Sequence, residues 1–66
     1  MQLKELLNLV YNTTTIRIFC INEEYDVVDL YVGKMTDCKL AESMLNRTIK
    51  GCGIAYMYNY LNIEID

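Results

Sequence analysis

Two strand-like stretches of this chain are apolar on both sides, and no other feature constrains the fold as tightly. In residues 14–21, Ile16, Ile18 and Cys20 point one way while Arg17, Phe19 and Ile21 point the other. In residues 49–58, Ile49, Gly51, Gly53, Ala55 and Met57 alternate with Lys50, Cys52, Ile54, Tyr56 and Tyr58. A sheet with one wet face alternates apolar with polar residues. A chain of 66 residues has room for only two short helices beside its strands, too few to cover both faces. Some apolar surface is therefore expected to meet a second copy, a protein partner or a ligand.

The remaining segments fall into a simple order. Leu3, Leu6, Leu7 and Val10 follow helical spacing, which predicts an amphipathic helix over 2–11 that ends at Asn12 and three threonines. A strand over 14–21, a polar turn at Asn22-Glu23-Glu24 and a strand over 25–33 read as a hairpin. In that second strand Val28, Leu30 and Val32 are expected on one side, and Val27, Asp29 and Tyr31 on the other. Thr36 and Asp37 are candidate caps for a second helix over about 37–46, carrying Leu40, Ala41, Met44 and Leu45. A third strand over 48–58, a turn at Asn59-Tyr60 and a final strand with Leu61, Ile63 and Ile65 on its buried side complete the chain. The expected fold is one α+β domain spanning 1–66, an antiparallel sheet of about four strands with two helices in the order αββαββ.

Composition removes several function classes. There is no histidine, and Cys20, Cys38 and Cys52 include no CxxC pair, so a metal site lacks its ligands. No cofactor is expected. The thiols read as small buried hydrophobes of a reducing compartment, which points to a cytoplasm. The opening segment is too short for a signal peptide and carries Glu5 in its apolar stripe; no run has the length of a membrane span. A net charge of −3 argues against a nucleic-acid partner, which needs clustered Lys and Arg.

The candidate sites each have a plain structural alternative. Tyr56, Tyr58 and Tyr60 recur at period two, and with Ile54, Tyr31 and Phe19 they offer apolar bodies with polar tips, suited to an interface or to stacking on a base. They would equally serve to cover the sheet. Arg17, Arg47 and Lys50 are three of six basic residues and form a candidate phosphate clamp with Tyr60. The alternative for Arg17 is a cross-strand pair with Asp29. Gly51-Cys52-Gly53 reads as a bulge or a point of tight packing rather than a phosphate loop, which needs a longer glycine pattern opening a helix. Cys52 has no histidine to activate it, and Glu23, Glu24 and Asp26 read as a solvated turn. No catalytic set emerges, so the chain is expected not to be an enzyme.

Four segments resemble those of very small proteins encoded by bacteriophages and mobile elements of Gram-positive bacteria. They are Leu3-Lys4-Glu5-Leu6-Leu7, Thr15-Ile16-Arg17-Ile18-Phe19, Met44-Leu45-Asn46-Arg47-Thr48-Ile49 and Leu61-Asn62-Ile63-Glu64-Ile65. Cys52 between glycines and the tyrosine series depart from that pattern. The resemblance implies the same helix–hairpin–helix–hairpin order and an anti-defence role, exerted by binding a host protein or by sequestering a signalling nucleotide. It supplies no catalytic residues. Together these readings give a non-enzymatic homo-oligomer that associates through an apolar sheet face, with an oligomeric binder of a small anionic ligand as the alternative.

Overall fold

The computed structural model describes residues 1–55 and 59–66. The chain runs α1 (Leu3–Leu7), β1 (Thr15–Ile21), β2 (Val27–Lys34), a 3₁₀ turn (Met35–Asp37), α2 (Glu42–Leu45), β3 (Ile49–Ala55) and β4 (Tyr60–Ile65). The α+β class, the four strands and the two helices are as expected. The sheet is mixed rather than antiparallel: its order is β2-β1-β4-β3, and the central pair, β1 with β4, is parallel. The cause is the crossover. Residues 35–48 carry the chain from one edge of the sheet to the other, so the second hairpin adds its last strand, β4, beside β1.

α1 is short but well begun. The backbone N–H of Gln2 donates to Glu5 Oε1 at 2.9 Å, half of a capping box. The helix stops at Asn8, well before residue 11, and Leu9 and Tyr11 are left in solvent. α2 is shorter than expected too. Asp37 ends a 3₁₀ turn instead of capping a helix, and the regular helix starts only at Glu42. The intervening Cys38 and Leu40 pack on the core instead.

The core lies on one face of the sheet. Leu3 and Leu7 of α1 close over Ile16 and Ile18 of β1 and Ile63 and Ile65 of β4, all six buried. Burying each such side chain stabilises by about 1.5–3 kcal/mol. Met35, Cys38, Leu40, Met44 and Leu45, from the crossover, pack around them. The N-terminus is strapped to the start of β3 by Leu3 N–H to the Arg47 carbonyl and Ile49 N–H to the Met1 carbonyl, both 2.9 Å.

Two extra residues reset the faces. Ile18 pairs with Tyr31 but Phe19 pairs with Asp29, so Leu30 is an inserted residue in β2. Ile49 pairs with Ile65 but Gly51 pairs with Glu64, so Lys50 is inserted in β3. Each bulge shifts the alternation by one. Tyr31 therefore shares the core side with Ile18, and Cys52 and Ile54 share it with Ile63 and Leu61.

Candidate functional site: the open face of the sheet

The face opposite the helices carries Arg17, Phe19 and Ile21 from β1, Val27, Asp29 and Val32 from β2, Gly51 and Gly53 from β3, and Asn62 and Glu64 from β4. Among the described residues no helix packs on it, because α1 and the crossover both lie on the core side. Val32 is 56% exposed, Val27 53% and Ile21 43%. Phe19 is half-buried, its ring lying under the Arg17 guanidinium with 4.8 Å from the carbon to the ring centre. That stacking covers one side of the ring and leaves an amphipathic patch.

Arg17 Nε donates to Asp29 Oδ1 at 2.7 Å. This hydrogen bond, together with the charge of Asp29 and a contribution from Tyr60, holds the guanidinium pKa above its ordinary value. Arg17 is thus the cross-strand pair foreseen as the alternative to a phosphate clamp. Tyr60 opens β4 opposite Ala55 and lies near Arg17. The other two cations stand elsewhere. Lys50 Nζ lies 3.9 Å from Glu64 Oε2, and Arg47 reaches Met44 Sδ at 3.5 Å beside α2. The fold does not gather Arg17, Arg47 and Lys50 into one cradle.

The candidate interface residues divide between the two faces. Phe19 is on the open face. Tyr31 is on the core side, where its hydroxyl donates to the Lys34 carbonyl at 2.6 Å. Burial, and after it Cys38 and Asp37, push its phenol pKa up. Ile54 is also on the core side by register, yet 65% exposed, because α1 ends too soon to reach it. There Ile54, Leu9, Val10 and Tyr11 border a cleft of about 440 Å³. Tyr56 and Tyr58 lie outside the described residues.

The open face is uneven. Phe19, Gly51, Cys52, Gly53, Asn62 and Glu64 border a trough of about 200 Å³ on its β3–β4 half. Asn62 Oδ1 is buried there without a hydrogen-bond partner among the described residues. On the β1–β2 half the side chains of Ile21, Val27 and Val32 stand up in solvent. Sequence reasoning put Phe19 and Ile21 together on one face, but it set Val32 on the side opposite Val27, which the Leu30 bulge reverses, and it missed the trough, which needs the Lys50 bulge to turn both glycines outward.

All three cysteines are free thiols. Burial pushes the Cys38 thiol up, which keeps it protonated and poorly nucleophilic at neutral pH. Among the described residues no group of three or more acidic or Cys side chains is placed to hold a metal, and no helix is long and apolar enough to cross a membrane. No family model, curated protein or solved structure matches the chain.

Proposed function

We propose that this is a non-enzymatic interaction protein that self-associates through the open face of its sheet. The supporting observation is one-sided covering: all six fully packed aliphatics and both helices lie on one face, while Ile21, Val27 and Val32 are solvent-exposed on the other. A flat sheet face with exposed apolar side chains and no covering element is what an association site presents. Inhibition of a host defence system by binding a protein comes from the resemblance to phage and mobile-element proteins, and its partner would compete for the same face. Sequestration of an anionic nucleotide is the weaker reading, because Arg17 and Lys50 each have an acidic neighbour and Arg47 points elsewhere.

Native mass spectrometry of protein purified from bacterial cytosol, before and after denaturation, tests this. A bare oligomer that dissociates on dilution is expected. A bare monomer at every concentration would refute self-association, and an oligomer retaining a small extra mass would shift the function to ligand capture.

A further inference from the structure

The crossover lies loosely on the core. Met35, Cys38, Leu40, Met44 and Leu45 all pack against it, yet none is fully buried, and the six sealed side chains come from α1, β1 and β4. Close-packed interiors leave few gaps wider than a water molecule, and a gap forfeits the contacts that would line it. Here the gap is a cleft of about 400 Å³ between the end of α1 and the crossover, within the size range of small-ligand sites. Leu7, Met35, Leu40 and Leu45 form its apolar walls.

The charged groups at this cleft are of one sign. Lys4 and Asn8 stand one helical turn apart at the end of α1. Lys39 comes from the extended link into α2, where Cys38 and Leu40 turn inward and Lys39 is left exposed. Two of the six basic side chains thus border one cleft, in a protein of net charge −3, and no carboxylate borders it. Among the described residues neither lysine forms an ion pair, whereas Arg17 and Lys50 each face an acid. Glu5, beside Lys4, accepts the Gln2 N–H instead, and Asp37, two residues before Lys39, acts on Tyr31. Cys38 adds no negative charge, because burial keeps its thiol protonated.

We propose that this cleft binds a medium-chain aliphatic carboxylate, its tail along Leu7, Met35, Leu40 and Leu45 and its head group held by Lys4 and Lys39. The tail is aliphatic because the walls are: no aromatic ring borders the cleft to stack on a base. Met35 is an adaptable wall for a flexible chain. The two ammonium groups are point charges suited to a carboxylate at the solvent boundary, and the Asn8 amide is a further donor there. The cleft lies on the core side of the sheet, so this binding is separate from association through the open face. A cleft this open holds so small a ligand with a Kd on the order of 0.1–1 mM. Protein purified from cells is accordingly expected to be free of it.

An amide NMR titration of dilute protein with octanoate, decanoate and decanol, each below the concentration at which it aggregates, tests the assignment. Decanoate is expected to move Leu7, Asn8, Lys39, Leu40 and Leu45 while Phe19 and Gly53 hold still. It should bind up to about fifteenfold more tightly than octanoate, at about fourfold per buried methylene. It should also bind more tightly than decanol, although the alcohol is the more apolar. Combining Lys4→Gln with Lys39→Gln is expected to weaken decanoate about fivefold or more and to remove its advantage over decanol, with the melting temperature unchanged. No binding of decanoate, a preference of the wild type for decanol, binding indifferent to the double substitution, or shifts confined to Leu9, Tyr11 and Ile54 would each overturn the assignment and leave self-association standing.

Discussion

The two faces of this sheet are built from the same strands and have opposite fates. On the core face, Ile16, Ile18, Ile63 and Ile65 are sealed by α1 and the crossover. On the open face, Phe19, Ile21, Val27 and Val32 are equally apolar in kind but lack any covering element among the described residues. The difference is one of supply: a five-residue and a four-residue helix cover the middle of one face and leave even Ile54 at its end exposed. Apolar patterning thus states how much surface wants to be dry, and chain length decides how much of it the chain can dry by itself.

Truncations on the two faces should separate most sharply. Ile18→Ala opens a cavity in a fully packed site and is expected to cost about 2–5 kcal/mol, whereas Ile21→Ala is expected to fall within about 0.5 kcal/mol at dilutions where the protein is monomeric. Urea unfolding of both variants checks this, and equal losses would mean that the open face is already covered within one copy. Next in size is Gly33→Ala. Gly33 has φ +156°, and a Cβ there would sit 2.7 Å from the Tyr31 hydroxyl oxygen that binds the Lys34 carbonyl. A loss of about 1–3 kcal/mol is expected, partly recovered by adding Tyr31→Phe, which removes the struck atom. Thermal melts of the single and double variants measure it.

A smaller effect distinguishes the hairpin tip from the strands it joins. Asn22 Oδ1 accepts N–H bonds from Glu24 and Asp26 at 2.9 Å, and this turn holds the exposed Tyr25 at φ 65°. A bulky residue in that conformation is strained, so Tyr25→Asn is expected to raise stability by about 0.5–1 kcal/mol. An unchanged or lower melting temperature would show that the ring has a packing role in solution. The smallest effect is alkaline. The Cys38 thiol and the Tyr31 phenol both have raised pKa values in the folded protein. The unfolded chain gives up these protons at lower pH than the folded one, so their contribution is full below about pH 8.5 and fades as pH rises. Cys38→Ala should flatten the first part of that decline in a pH series of melts.

Period-two alternation was readable where no residue is inserted. β1 and β4 fall where the spacing predicts, with Ile16, Ile18, Ile63 and Ile65 inward as expected. The pairing of Arg17 with Asp29 was also legible, from opposite charges on facing strands. Alternation fails past a bulge. Leu30 and Lys50 each add one residue, so Tyr31 and Ile54 turn to the core side and Gly51 and Gly53 turn outward, and no local composition marks either insertion. Helical spacing overran both helices because Val10 and Leu40 are apolar for packing on the core, whatever backbone carries them. The parallel central pair was not legible at all, since it depends on where the crossover lands rather than on any single strand.

The central claim is that association uses the open face. The most direct measurement is a concentration series of amide and methyl NMR spectra, with resonances assigned. The account predicts shifts that grow with concentration at Arg17, Phe19, Val32, Gly53 and Asn62, while Leu3, Ile18 and Ile65 hold still. Spectra that do not change with concentration, or changes confined to Leu9, Tyr11 and Ile54 at the far end of the core side, would contradict it.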